Sequence, residues 1–129
     1  MGLSRHPSSG FSGGILVLWR KQVGCVTPIA LSRLALHLVI TTSFDSWVLY
    51  AIYNSQVLSD HKAFWDSLSA ISLLNIPWVL TGDFNAICSK DENLGGLFIN
   101  YASKAKYFSS FITNNNLLDL GFVGPCFTW

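Results

Sequence analysis

Hydrophobic positions in this chain fall into short runs separated by polar turns, and their period changes partway along. Ile15-Leu16-Val17-Leu18-Trp19 is an apolar run of strand length, opened by Gly13-Gly14 and closed by Arg20-Lys21. The segment from Val23 to Ile29 predicts a second strand, interrupted by Gly24 and Pro28. After Arg33, the residues Leu34, Leu36, Leu38 and Ile40 occupy alternate positions, the two-residue period of a strand with one buried face. Positions 41–46 are polar and turn-like. The continuous run of β-formers from Trp47 to Tyr53 predicts a strand covered on both faces. The period then becomes helical. Ser59 is a candidate helix cap, and Asp60 sits near the positive end of the dipole. Phe64, Trp65, Leu68, Ile71 and Leu74 recur at three- and four-residue steps until Asn75 and Pro77 end the element. Trp78-Val79-Leu80-Thr81 predicts a short buried strand that runs into Gly82-Asp83-Phe84-Asn85. A polar loop from Ser89 to Asn100 carries Lys90, Asp91, Glu92 and Gly95-Gly96. A second helix is predicted from Ser103 to about Asn114, with Tyr107, Phe108, Phe111 and Ile112 on one face. Asn114-Asn115-Asn116 suits its exit, because Asn tolerates the left-handed conformation. Strands dominate, two helices are inserted between them, and no internal repeat appears. The fold class is α/β with a mixed sheet.

Composition narrows this picture. With 129 residues the chain is one ordinary domain or a piece of a larger one. Half of the residues are hydrophobic, which excludes disorder as the main state. Only 12% are charged, against about 25% in an average soluble domain, so the surface is more apolar than a monomer favours. The net charge is +1 and the pI is near 7.7. A strongly basic nucleic-acid module has a pI above about 9, so charge alone does not announce a polyanion partner. The longest stretch without Asp, Glu, Lys or Arg, 67–82, is broken by Asn75 and Pro77. A membrane span needs about 20 mostly apolar residues, so no membrane partner is expected. Residues 1–12 are Ser/Gly/Pro-rich and read as a disordered tail without the apolar stretch of a leader; a domain is expected over 13–129. Gly2 resembles a myristoylation start, but His6 stands where Ser or Thr is required. Cys25, Cys88 and Cys126 are far apart and form no C-x-x-C pair. They predict reduced thiols in an intracellular setting, neither a zinc framework nor a disulfide-linked partner.

The sharpest chemical feature is Gly82-Asp83-Phe84-Asn85 at the end of a hydrophobic strand. Catalytic groups of α/β proteins sit at the carboxyl ends of strands, where loops open into a crevice. Gly82 lets a substrate or another backbone approach closely. In extended geometry Asp83 and Asn85 point the same way, with Phe84 turned into the core. The carboxylate can accept a proton from water or help hold Mg²⁺, and the amide can donate to a phosphate oxygen. The competing reading is a plain turn, since Gly, Asp and Asn all favour turns.

The ordered series of motifs adds a second argument. It comprises Ser12-Gly13-Gly14-Ile15 leading to Leu18-Trp19, Trp47 to Tyr53, Phe64-Trp65 with Leu68, and Pro77-Trp78-Val79-Leu80 before Gly82-Asp83-Phe84-Asn85. It continues with Glu92 and Gly95-Gly96, Phe108, Phe111, Leu117, Asp119-Leu120, Gly124 and Phe127-Thr128-Trp129. In this order and spacing the chain resembles the endonuclease/exonuclease/phosphatase superfamily, and within it the endonuclease domain of plant LINE-type retrotransposons. The resemblance implies a mixed-sheet α/β sandwich, Mg²⁺ as cofactor, DNA as partner and hydrolysis of phosphodiester bonds, with an intracellular and nuclear setting. It implies that Asp83 orients or deprotonates the attacking water, that Asn85 contacts the scissile phosphate, and that Tyr53 reaches the same phosphate.

The chain also departs from the family pattern. Asn54-Ser55-Gln56 stands where Pro and Asn commonly follow the tyrosine. The family's metal-binding glutamate and its Ser-Asp-His segment have no counterpart in this sequence, and His6, His37 and His61 are not substitutes. The domain therefore reads as truncated at both ends. Asp83 alone would hold Mg²⁺ weakly, since such sites use one or two carboxylates plus phosphate. Three readings follow: an endonuclease fragment inactive alone, an active phosphodiesterase or phosphatase completed by another chain or by flanking sequence, and a non-catalytic interaction domain that keeps the scaffold.

Overall fold

The computed structural model describes residues 1–6, 14–87, 101–121 and 123–125. The chain is mixed α/β, with strands β1 (Gly2–His6), β2 (Ile15–Trp19), β3 (Cys25–Ser32), β4 (Ala35–Thr41), β5 (Ser46–Tyr53) and β6 (Trp78–Asp83). Helix α1 (Leu58–Ser69) continues into a 3-10 turn (Ala70–Leu74), and α2 spans Tyr101–Asn114. These elements form two compact units. The first contains Met1–Ser55 and Leu74–Asn85, and the second Gln56–Leu73 with the chain from Ala86 onward.

The first unit holds all six strands. Four make a mixed sheet in the order β3-β4-β5-β6, antiparallel except for the parallel pair β5 and β6. The alternation from Leu34 to Ile40 resolves as β4, whose Leu36, Leu38 and Ile40 are buried. Pro28 does not interrupt β3. It pairs with Leu38 from an edge strand, where a missing N–H costs no ladder bond, and a bulge follows between Pro28 and Ala30. The polar stretch after β4 is a tight turn in which Thr42 Oγ1 accepts the N–H groups of Phe44 (3.2 Å) and Asp45 (3.0 Å).

Residues 2–6 were expected in a disordered tail; they form β1 instead, antiparallel to β2 with Leu3 opposite Leu18. The apolar β2 needs a partner for its backbone, and this short segment satisfies one edge. The two-stranded sheet faces the four-stranded one. Ile15 joins Leu36, Leu38 and Ala51 in a buried cluster, with Val17, Leu49 and Tyr53 packed around it. Register fixes what lies on each face of the larger sheet. Leu49, Ala51 and Tyr53 of β5 share the β2-facing side with Val79, Thr81 and Asp83 of β6. Val48, Tyr50 and Ile52 point the other way and are also buried, so β5 is covered on both faces as its continuous apolar run predicts. His37 lies on that second face, where its Nδ1 is 3.0 Å from Tyr50 Oη and the rings are 4.5 Å apart.

Phe64, Trp65 and Leu68 of α1 and Phe108 and Phe111 of α2 are buried as the helical period predicts, but α1 ends at Ser69 and Leu74, expected on the same face, is 59% exposed. Trp65 stacks on Phe108 at 5.1 Å and tilts against Phe111 at 4.7 Å, the core of this helix pair. The N-cap of α1 is Val57, without a side-chain cap bond, whereas Ser59 lies inside the first turn. Asn115 closes α2, its amide donating to Phe111 O (2.8 Å) and to Ser69 Oγ (3.1 Å). Asn116 has the left-handed conformation expected at this exit (φ 52°). The loop from Ser89 to Asn100, with Glu92 and Gly95-Gly96, lies outside the described residues, as do Cys88 and Phe127-Thr128-Trp129.

Candidate functional site

The ends of β5 and β6 are built around one glycine. Gly82 has φ 132°, and a Cβ on it would stand 1.9 Å from the carbonyl oxygen of Ile52, its register partner. The close approach is therefore by backbone, and only glycine permits it. Drawing the strands together there places Tyr53 and Asp83 side by side as the last pair of the parallel ladder. The N–H of Asn54 donates to Asp83 O (2.9 Å), and that of Tyr53 to Leu34 O (2.9 Å), so both strand ends are tied to the sheet.

Extended geometry ends at Asp83, which corrects the expected geometry of the Asp83/Asn85 pair. Asn85 adopts φ 47° and donates its N–H to Asp83 Oδ1 (2.9 Å), an Asx turn. Its side-chain amide donates to the carbonyl of Asn54 (2.5 Å). The turn reading of this tetrapeptide thus describes its backbone. The Asx hydrogen bond joins the Asp83 carboxylate to the Asn85 backbone, while the Asn85 side chain turns to Asn54. One N–H of the Asn85 amide is committed to Asn54, and the second remains available to an acceptor such as a phosphate oxygen. Phe84 is half-buried. Asp83 is exposed, and its second carboxylate oxygen has no hydrogen-bond partner among the described residues. Tyr53 is half-buried against the inter-sheet cluster and lines the end of an open groove of about 400 Å³.

Asn54 is the residue that sequence reasoning missed. It is buried at 1% exposure. Its carbonyl accepts Asn85, its N–H reaches Asp83, and its Oδ1 accepts the N–H of Ser55 (2.8 Å). The available signal was an Asn directly after a run of β-formers, a position where an Asn side chain satisfies the backbone leaving a strand.

Among the described residues no three His, Cys, Asp or Glu side chains gather closely enough to hold a metal ion. Among them too, no helix is long and apolar enough to cross a membrane. Cys25 is an exposed free thiol. Comparison with protein-family models, with curated proteins and with solved structures finds no match.

Proposed function

We propose that this chain carries part of a phosphodiester-hydrolysing site of the endonuclease/exonuclease/phosphatase type, related to retrotransposon endonuclease domains and acting on DNA. The reading rests on one observation: Tyr53 and Asp83 end adjacent parallel strands on the same face, beside an open groove, with Asn85 hydrogen-bonded to Asp83. In this reading the Asp83 carboxylate orients the attacking water and accepts its proton. The Tyr53 hydroxyl and the remaining Asn85 N–H hold phosphate oxygens, and hydrolysis depends chiefly on such positioning. The Asx turn supports this role, because a carboxylate tied to a backbone N–H has few rotamers to lose on binding. The cofactor of that chemistry in the resembled family is Mg²⁺. Asp83 would be one ligand at most, and a further carboxylate must come from outside the described residues.

The chain alone should therefore leave supercoiled plasmid intact in Mg²⁺. Fused to the glutamate-bearing N-terminal segment and the Ser-Asp-His segment of an intact family member, it should nick the plasmid. Asp83→Ala in that fusion should reduce nicking by about a hundredfold or more. Equal nicking by the fusion and its Asp83→Ala variant would overturn the reading and leave the scaffold as an interaction domain.

A further inference from the structure

The two facing sheets of the first unit do not match in width. The smaller sheet has two strands and the larger has four. Ile15 and Val17 of β2 cover Leu36, Leu38 and the near side of β5. Beyond β2, the same face continues through Leu49 and Ala51 to β6, where Val79 is 39% exposed and Thr81 is exposed. The groove of about 400 Å³ occupies this step. One wall is four consecutive residues of β2, Ile15–Leu18, and the floor is formed by Leu49, Ala51 and Thr81. Four successive strand residues can line one groove only along a strand edge, since their side chains alternate between faces. Among the described residues β2 pairs with β1 alone, so the wall offers backbone N–H and C=O groups without a ladder partner.

From this geometry we infer that the groove is a docking site for one extended polypeptide strand, which pairs with the free edge of β2 and lays an apolar face on the floor. The hydrogen-bonding wall selects the occupant: a backbone ladder is satisfied by another extended backbone, whereas a helix brings none of its own groups to an edge. Strand spacing supports the fit. Neighbouring strands lie about 4.8 Å apart and packed sheets about 10 Å apart, so a strand added to β2 falls over β5 and β6. The occupant alternates. Apolar side chains of modest size face Leu49, Ala51 and Thr81, and outward positions adjoin Leu16 and Leu18, both more than half exposed. A second copy cannot offer its own β2, because that strand is already backed by its own four-stranded sheet, which would collide with this floor. The arriving strand must have one bare face. This inference stands on sheet geometry and does not depend on the phosphodiester reading.

The test uses the full chain and a fluorescent peptide of about seven residues, alternating valine and threonine. A matched peptide is N-methylated at alternate positions, which removes the donors on one edge. The unmodified peptide should bind saturably, and the methylated one roughly tenfold more weakly or worse. Hydrogen exchange should slow at alternate amides of Ile15–Trp19 when the peptide is added. Thr81→Arg, a change at an exposed floor position, should abolish binding while the circular dichroism spectrum is unchanged. If that variant fails to fold, amide protection in the unmodified chain still decides the matter. Equal binding of both peptides, no binding at millimolar peptide, protection confined to other strands, or β2 amides already protected by self-association would each overturn the proposal.

Discussion

Gly82 carries the tightest constraint in the first unit. Its φ of 132° and the 1.9 Å separation between a built Cβ and Ile52 O leave no room for any side chain. Gly82→Ala should destabilise the chain by more than about 3 kcal/mol, because backbone rather than a flexible side chain must give way; urea unfolding with an unchanged slope measures this. The pair His37 and Tyr50 gives a second residue-level expectation. Burial lowers the His37 pKa below its ordinary value of 6.5 and pushes the Tyr50 hydroxyl up from 10.0 to about 12. For His37 the unfolded chain binds the proton more readily, so its neutral ring favours folding above pH 6.5, and that stability is lost as pH falls toward the lowered value. For Tyr50 the unfolded chain ionises first, so stability is lost as pH rises from 10 to about 12. Denaturation midpoints across pH should show both limbs. Tyr50→Phe should flatten the alkaline one, at a cost of about 1 kcal/mol below pH 10 for the lost hydrogen bond, a difference that shrinks as pH rises above 10.

At the level of elements, period and partner play different parts. The two-residue alternation of β4 and the three- and four-residue steps of α1 predict type and buried face, and Leu36, Leu38, Phe64, Trp65 and Leu68 are all inside. Boundaries were less legible. Ser59 has the chemistry of a cap, yet the helix begins one residue earlier, at Leu58, and Val57 holds the cap position with extended backbone (φ −82°, ψ 123°). Ser59→Ala should therefore change stability by less than about 0.5 kcal/mol, whereas Val57→Ser should raise it by up to about 1 kcal/mol. Thermal melts of the two variants separate these outcomes. Pro28 and residues 2–6 were misjudged for a related reason. Whether proline or a short polar-flanked segment can join a sheet depends on which edge is free, and composition does not record that.

For the molecule as a whole, the low charge content acquires a location. Leu3, Leu16 and Leu18 are more than half exposed on the small sheet, and Leu73, Leu118 and Leu120 are more exposed still. With a net charge of +1 there is little repulsion to oppose association through such surfaces. Solubility should pass through a minimum near the pI of 7.7 and improve as the net charge moves away from zero on either side, which light scattering across pH would record. The fold class and most elements were legible along the chain because burial imposes a period on each element separately, and that period is written locally. The candidate site was legible as residue types: Asp83, Asn85 and Tyr53 stand out at strand ends. Its arrangement was not. That Tyr53 pairs with Asp83 follows from a parallel register across an intervening helix. That Asn85 turns to Asn54 follows from a strand ending where Ile52 O meets Gly82. The sequence by itself determined most of the strands and helices and the buried faces of β4, α1 and α2, but neither β1 nor the exposure of Val79 and Thr81 on β6, which its apolar run predicts as buried. Tertiary structure alone decided which edges pair, which face the small sheet leaves open, and which polar groups meet there, because hydrogen-bond partners distant in the chain are chosen by packing and leave no periodic trace.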